Sequence, residues 1–201
     1  GAEAVELLDL TLPGSGVNGF ADMRETELLV IGAPVYAGRL PEIAVQRFQG
    51  SRSSGSPAVL VDLYGNREFE DALLELSDLV VAAGFVPVAG GAFIGEHSFS
   101  SALIPLAAGR PDAADLRHAQ GFGRSVGECL RRTQSLSQNS PLQFPGNRPF
   151  REHGKLPPTS PDVKTDRCTA FCKCASSCPT GSIRINDTAQ TNSETCILCC
   201  A

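Results

Sequence analysis

Short apolar runs and helix-period segments alternate along the first two thirds of the chain. Val5 to Leu10 (VELLDL) and Leu28 to Val35 (LLVIGAPV) read as strands, separated by a Gly-rich polar stretch long enough for a crossover. LPEIAVQRFQG then puts Pro41 in a first helical turn and Gly50 at a helix end. Pro57 to Gly65 (PAVLVDLYG) is a continuous apolar run of the kind buried on both faces of a parallel sheet. Phe69, Leu73, Leu76, Val80 and Ala83 recur every three or four residues, which marks one helix face, and Gly84 stops it. Phe85 to Gly95 (FVPVAGGAFIG) is the next strand. A last helix runs from about Pro111 to Arg132, with Leu116, Ala119, Phe122, Val126 and Leu130 on one side. This alternation predicts an open, doubly wound parallel α/β sheet over residues 1–133.

The pattern stops there. Pro141, Pro145, Pro149, Pro157, Pro158 and Pro161 punctuate a polar stretch without periodicity, so residues 134–161 read as an ordered or semi-rigid linker with little core of its own. Residues 162–201 form a cysteine-rich segment. At 201 residues the chain has room for one ordinary domain and a small second one.

Charge narrows the partners. The chain has 17 Lys plus Arg against 22 Asp plus Glu, scattered rather than blocked, which argues against a nucleic-acid or anionic-membrane surface. No apolar run approaches the ~20 residues that span a bilayer. Of eight cysteines, all but Cys129 lie between Cys168 and Cys200, too crowded for a disulfide framework and suited to a metal or cluster site. That usage implies a reducing, cytoplasmic location. Because Gly1 is not Met and Ala201 ends a cysteine run, the chain reads as a piece of a longer protein, cut at both ends.

In open α/β sheets ligands bind beyond the carboxyl ends of the strands. The only tyrosines, Tyr36 and Tyr64, fall at two such ends, where a ring can stack on a planar cofactor or simply cap the sheet. Gly38 and Gly65 would let the backbone approach a ligand. Asn66 and Arg67 add donors; Arg67 faces either a phosphate or the helix acids Glu70 and Asp71. His97 lies just after the last strand, as a surface residue or a functional one.

The cysteines repeat a motif. A bacterial [4Fe–4S] run is Cys, two residues, Cys, two residues, Cys, three residues, Cys-Pro. In CTAFCKCASSCP, Cys168, Cys174, Cys178 and Pro179 keep that register, whereas Phe171 takes the second ligand position and the thiol stands next door at Cys172. A second copy opens at Cys196 and Cys199, with Cys200 extra, and PTGSIRIND resembles the turn and strand that join two such halves. A zinc site is the competing reading of these thiols. Cys129, on the last helix, reads as a buried small hydrophobe.

The segments GAPVYAGRLP, YGNREFEDAL, AFIGEHSFS and AAGRPDAADL resemble the flavodoxin-like domain of fusion proteins that carry a two-cluster ferredoxin domain at the C-terminus. The resemblance implies a flavodoxin-like sheet, with its first strand and phosphate loop missing, followed by a small ferredoxin-like α+β domain. It assigns Pro34, Val35, Tyr36, Ala37 and Gly38, and Tyr64, Gly65, Asn66 and Arg67, to the two loops that flank FMN. VELLDL matches the second strand of the 2-1-3-4-5 order. Without the phosphate loop, FMN binding by these 201 residues is expected to be weak or absent.

By the crossover rule of two-cluster ferredoxins, Cys178, Cys196 and Cys199 would share one cluster, and Cys168, Cys174 and displaced Cys172 the other, with each cluster expected to lack a ligand in these 201 residues and both to be complete only in a longer protein. The function implied is electron transfer between [4Fe–4S] clusters and FMN, with a redox partner protein. A flavin-dependent reductase using His97 or Arg67, and a zinc-stabilised interaction module, are the alternatives.

Overall fold

The computed structural model describes residues 4–15, 23–24, 26–132, 142–154 and 157–199. These fall into two compact units: Gly1–Val5 with Asn18–His153, and Glu6–Val17 with Gly154–Ala201.

The larger unit is an α/β layer. Strands β1 (Leu29–Pro34), β2 (Pro57–Tyr64) and β3 (Val86–Ile94) form a parallel sheet in sequence order, joined by helices α1 (Glu42–Phe48) and α2 (Ala72–Ala82). Helix α3 (Ala113–Arg132) follows. In register, Leu29, Ile31 and Ala33 of β1 lie beside Ala58, Leu60 and Asp62 of β2. That face packs against Leu73, Leu76 and Val80 of α2, with Phe48 and Phe85 closing the core.

The punctuation works as its chemistry requires. After α2, the Phe85 N–H bonds the Val80 carbonyl and the Gly84 N–H the Val81 carbonyl, a Schellman stop in which Gly84 has φ +87°. A Cβ at Gly84 would also strike the Ser53 carbonyl. Helix α3 opens on a reciprocal cap. Asp112 accepts from the N–H groups of Ala114 and Asp115, while Asp115 accepts from the N–H of Asp112.

Three sequence expectations fail. Residues 5–10 form no strand, and all but half-buried Leu10 are exposed. VELLDL has β propensity, but none of the described strands pairs with it. Cys129 is exposed, because only Phe122, Val126 and Leu130 of the expected α3 face turn inward while Leu116 and Ala119 stay out. Phe122 meets Phe93 of β3 edge to face at 5.5 Å.

The described part of the expected linker is ordered. Residues 142–153 form a strap on the sheet unit. Phe144 packs on the core and against Gly90, where a Cβ would collide with its ring. Asp71, at the start of α2, accepts from the N–H groups of Asn147 at 2.8 Å and Arg151 at 2.7 Å.

The smaller unit holds a short helix, α4 (Lys173–Ser176), and an antiparallel hairpin of β4 (Ile183–Ile185) and β5 (Ala189–Thr191). Among the described residues no helix is long and apolar enough to cross a membrane.

Candidate functional site

At the carboxyl end of the sheet the two predicted loops lie side by side. Beyond Pro34, the Val35 N–H bonds the Leu63 carbonyl at 2.9 Å. Tyr36 and Arg39 then exchange both backbone hydrogen bonds around Ala37 (φ +50°) and Gly38 (φ +78°), a tight turn with two positive φ values. The Gly38 carbonyl accepts from the Asp71 N–H at 3.0 Å, which ties this loop to the next.

Both glycines are used by the chain's own side chains. The space of a Cβ at Gly38 is taken by Glu70, and at Gly65 by the His97 ring. The Tyr64 ring meets Phe69 edge to face at 5.4 Å. Asn66, with φ +55°, turns the loop that leads to Arg67. Glu70 pairs with Arg151 of the strap. His97 Nδ1 accepts the Phe99 N–H at 3.0 Å, which leaves Nε2 to carry the proton of the neutral ring. Tyr36, Tyr64 and His97 thus belong to three loops at one end of the sheet.

Beneath them lies a charged layer that the sequence patterns did not flag. Arg39 clasps Glu75 of α2 with two bonds of 2.8 Å, and the Leu40 N–H adds a third at 2.9 Å. The Arg39 guanidinium sits 4.8 Å over the Phe150 ring. Asp62 is fully buried, and neither of its oxygens has a hydrogen-bond partner among the described residues. Burial first, and then the charge of Glu75, push its carboxyl up to about 7. A lone acid inside the apolar run PAVLVDLYG was the available signal.

In the smaller unit each predicted sulfur can be placed. Cys178 is buried, Cys168, Cys196 and Cys199 are half-buried, and Cys172 and Cys174 are exposed. Cys168 Sγ accepts the Ala189 N–H at 3.3 Å; this bond and one from the Ala170 backbone hold its thiol below the usual value. Burial pushes the Cys178 thiol up, but hydrogen bonds from Thr180, Ile183 and Ser182 outweigh it and leave it lowered. The Ser182 N–H lies 3.2 Å from that sulfur.

The two half-motifs share a backbone signature. Ala170, two residues past Cys168, has φ +51°, and Leu198, two past Cys196, has φ +52°. Left-handed backbone is uncommon at Ala and Leu, so its recurrence in one register supports a repeated loop. Cys172 breaks the pattern. It has φ +64°, its Sγ donates to the Ala170 carbonyl at 3.2 Å, and Phe171 beside it is 80 % exposed.

Among the described residues no three Cys, His, Asp or Glu side chains stand together as a metal-binding group. Hydrogen bonds at Cys168 and Cys178 hold both thiols below the usual value, which favours negative charge on sulfur. No family model, curated protein or solved structure matches the chain.

Proposed function

We propose that the chain is an electron-transfer protein whose cysteine unit carries [4Fe–4S] clusters and exchanges electrons with FMN and with a redox partner protein. The observation that carries this reading is the set of backbone N–H groups aimed at Cys168 and Cys178. Such donors stabilise negative charge on sulfur, which both favours ligation and tunes a cluster's potential. Cys178, Cys196 and Cys199 are the ligands named for one cluster, and Cys168, Cys174 and Cys172 for the other. When bound, a cluster supplies a one-electron couple, and no residue need act as acid or base. Ala189, Ser182 and Thr180 hold the charge at sulfur; Tyr36 and Tyr64 are the residues named for the flavin ring. Flavin retention by these residues alone is weak, since Glu70 and His97 occupy the space at Gly38 and Gly65.

Anaerobic incubation of the full chain with iron and sulfide tests this. Iron with acid-labile sulfide is expected, and Cys168→Ser or Cys178→Ser should remove most of it. Stoichiometric zinc without iron would overturn the cluster reading. A flavin titration should show affinity weaker than micromolar.

A further inference from the structure

The smaller unit contains a cleft of about 280 Å3 whose lining is part polar and part apolar, with Arg184 the one charged residue in it. Its walls come from three places: the turn Thr180–Ser182, the outer face of the β4–β5 hairpin at Arg184 and Gln190, and the segment Asn192–Thr195.

The chain's own hydrogen bonds decide which ends of these groups face a ligand. Gln190 Oε1 already accepts from Asn186 Nδ2 at 3.2 Å, and Asn192 Oδ1 from the Glu194 N–H at 2.9 Å. Each amide therefore keeps its NH2 to donate elsewhere. The Thr195 hydroxyl and the Arg184 guanidinium have no partner among the described residues, and no carboxylate lines the cleft. What remains is one fixed positive charge with two amide NH2 groups and the Thr195 hydroxyl able to donate beside it. Such a set repels cations and matches an oxyanion, whose lone pairs can accept from the guanidinium, both amides and the hydroxyl at once.

We propose that this cleft binds a small oxyanion of the phosphate class, with Arg184 holding its charge and Gln190, Asn192 and Thr195 donating to its oxygens. The position has reach. Thr180 Oγ1 contacts both Ser182 Oγ and, at 3.7 Å, Cys178 Sγ, so the floor of the cleft is hydrogen-bonded to that sulfur. Binding itself does not depend on whether the cysteines hold a cluster, because every donor belongs to the protein.

Calorimetric titration of the full chain with inorganic phosphate, at fixed ionic strength, tests the site with or without iron. Saturable one-site binding is expected, weakened at least tenfold in Arg184→Gln and by less in Thr195→Val, and unchanged in Arg167→Gln. Glycerol phosphate titrated in parallel distinguishes a free anion from a phosphate ester: tighter binding of the ester shows that the rest of the cleft is used. No binding by either probe, or equal binding by Arg184→Gln and the parent chain, overturns the proposal. Should Arg184→Gln disturb the hairpin, Arg184→Lys, which keeps the charge but loses the planar fork, must still bind more weakly.

Discussion

The two units are held together by different means. In the sheet unit, Leu40, Phe48, Ala58, Leu60, Ala72, Leu76 and Val80 are buried in one continuous cluster. Among the described residues of the smaller unit only Cys178, Ser182 and Ala189 are buried, a thiol, a hydroxyl and a methyl. At ~25 cal/mol per Å2 of apolar surface, the first can rest on burial, whereas the second has almost none to offset its ordering entropy. Small units of that kind are completed by metals or cross-links. The described cysteines form no disulfide, and the clusters proposed above would supply that completion.

The largest effect expected from this contrast is at Leu60, fully buried at the centre of β2. Leu60→Ala should cost the sheet unit about 2–5 kcal/mol. Both tyrosines, Tyr36 and Tyr64, lie in that unit, so tyrosine fluorescence during urea unfolding reads it alone. The iron content of the loaded chain should not change in the folded variant. Iron lost in step with the tyrosine transition would erase the distinction between the units.

The same contrast explains what was legible in the sequence. LLVIGAPV, PAVLVDLYG and FVPVAGGAFIG became β1, β2 and β3, and the Leu73, Leu76 and Val80 stripe became the inner face of α2, because burial leaves a periodic trace. VELLDL misled because an apolar run records propensity and says nothing of a partner strand. Where the strap docks was not legible, because apart from Phe144 it is held by single polar bonds across long separations, such as Asn147 to Asp71, and polar residues in a Pro-rich stretch look alike whether docked or free. The repeated cysteine spacing itself was readable in the sequence. The N–H groups of Ala189 and Ser182 that hold Cys168 and Cys178 were not, since any residue except Pro supplies one.

A second, pH-dependent test concerns Asp62. Its folded carboxyl keeps its proton up to about 7, while the unfolded one releases it near ~3.9. The folded state therefore binds the extra proton between these values. Stability from this group is fully present below the unfolded value and falls as pH rises through about 7. Between pH 5 and pH 8 the sheet unit should lose on the order of 2–4 kcal/mol, and Asp62→Asn should flatten that slope. An unchanged slope in the variant would mean that Asp62 is ionised at neutrality, with a partner that supports its charge.

The smallest effects separate buried hydrogen bonds from surface charge within the strap. Asp71 is almost fully buried, and its carboxylate serves the backbone N–H groups of Asn147 and Arg151; the bond from Arg151 is the main cause that holds its carboxyl below the usual value. Asp71→Ala strands both donors and should cost about 1–3 kcal/mol, with faster amide exchange at Asn147 and Arg151. Its contribution should be present above the unfolded carboxyl value and fade as pH falls through the lowered one. Arg148 pairs with Asp78 through side chains that are 61 % and 42 % exposed, so Arg148→Ala should cost less than about 1 kcal/mol and respond to salt. Equal losses in the two variants would mean that charge holds the strap down, and that polar bonding at Asp71 does not extend the apolar core of the sheet unit.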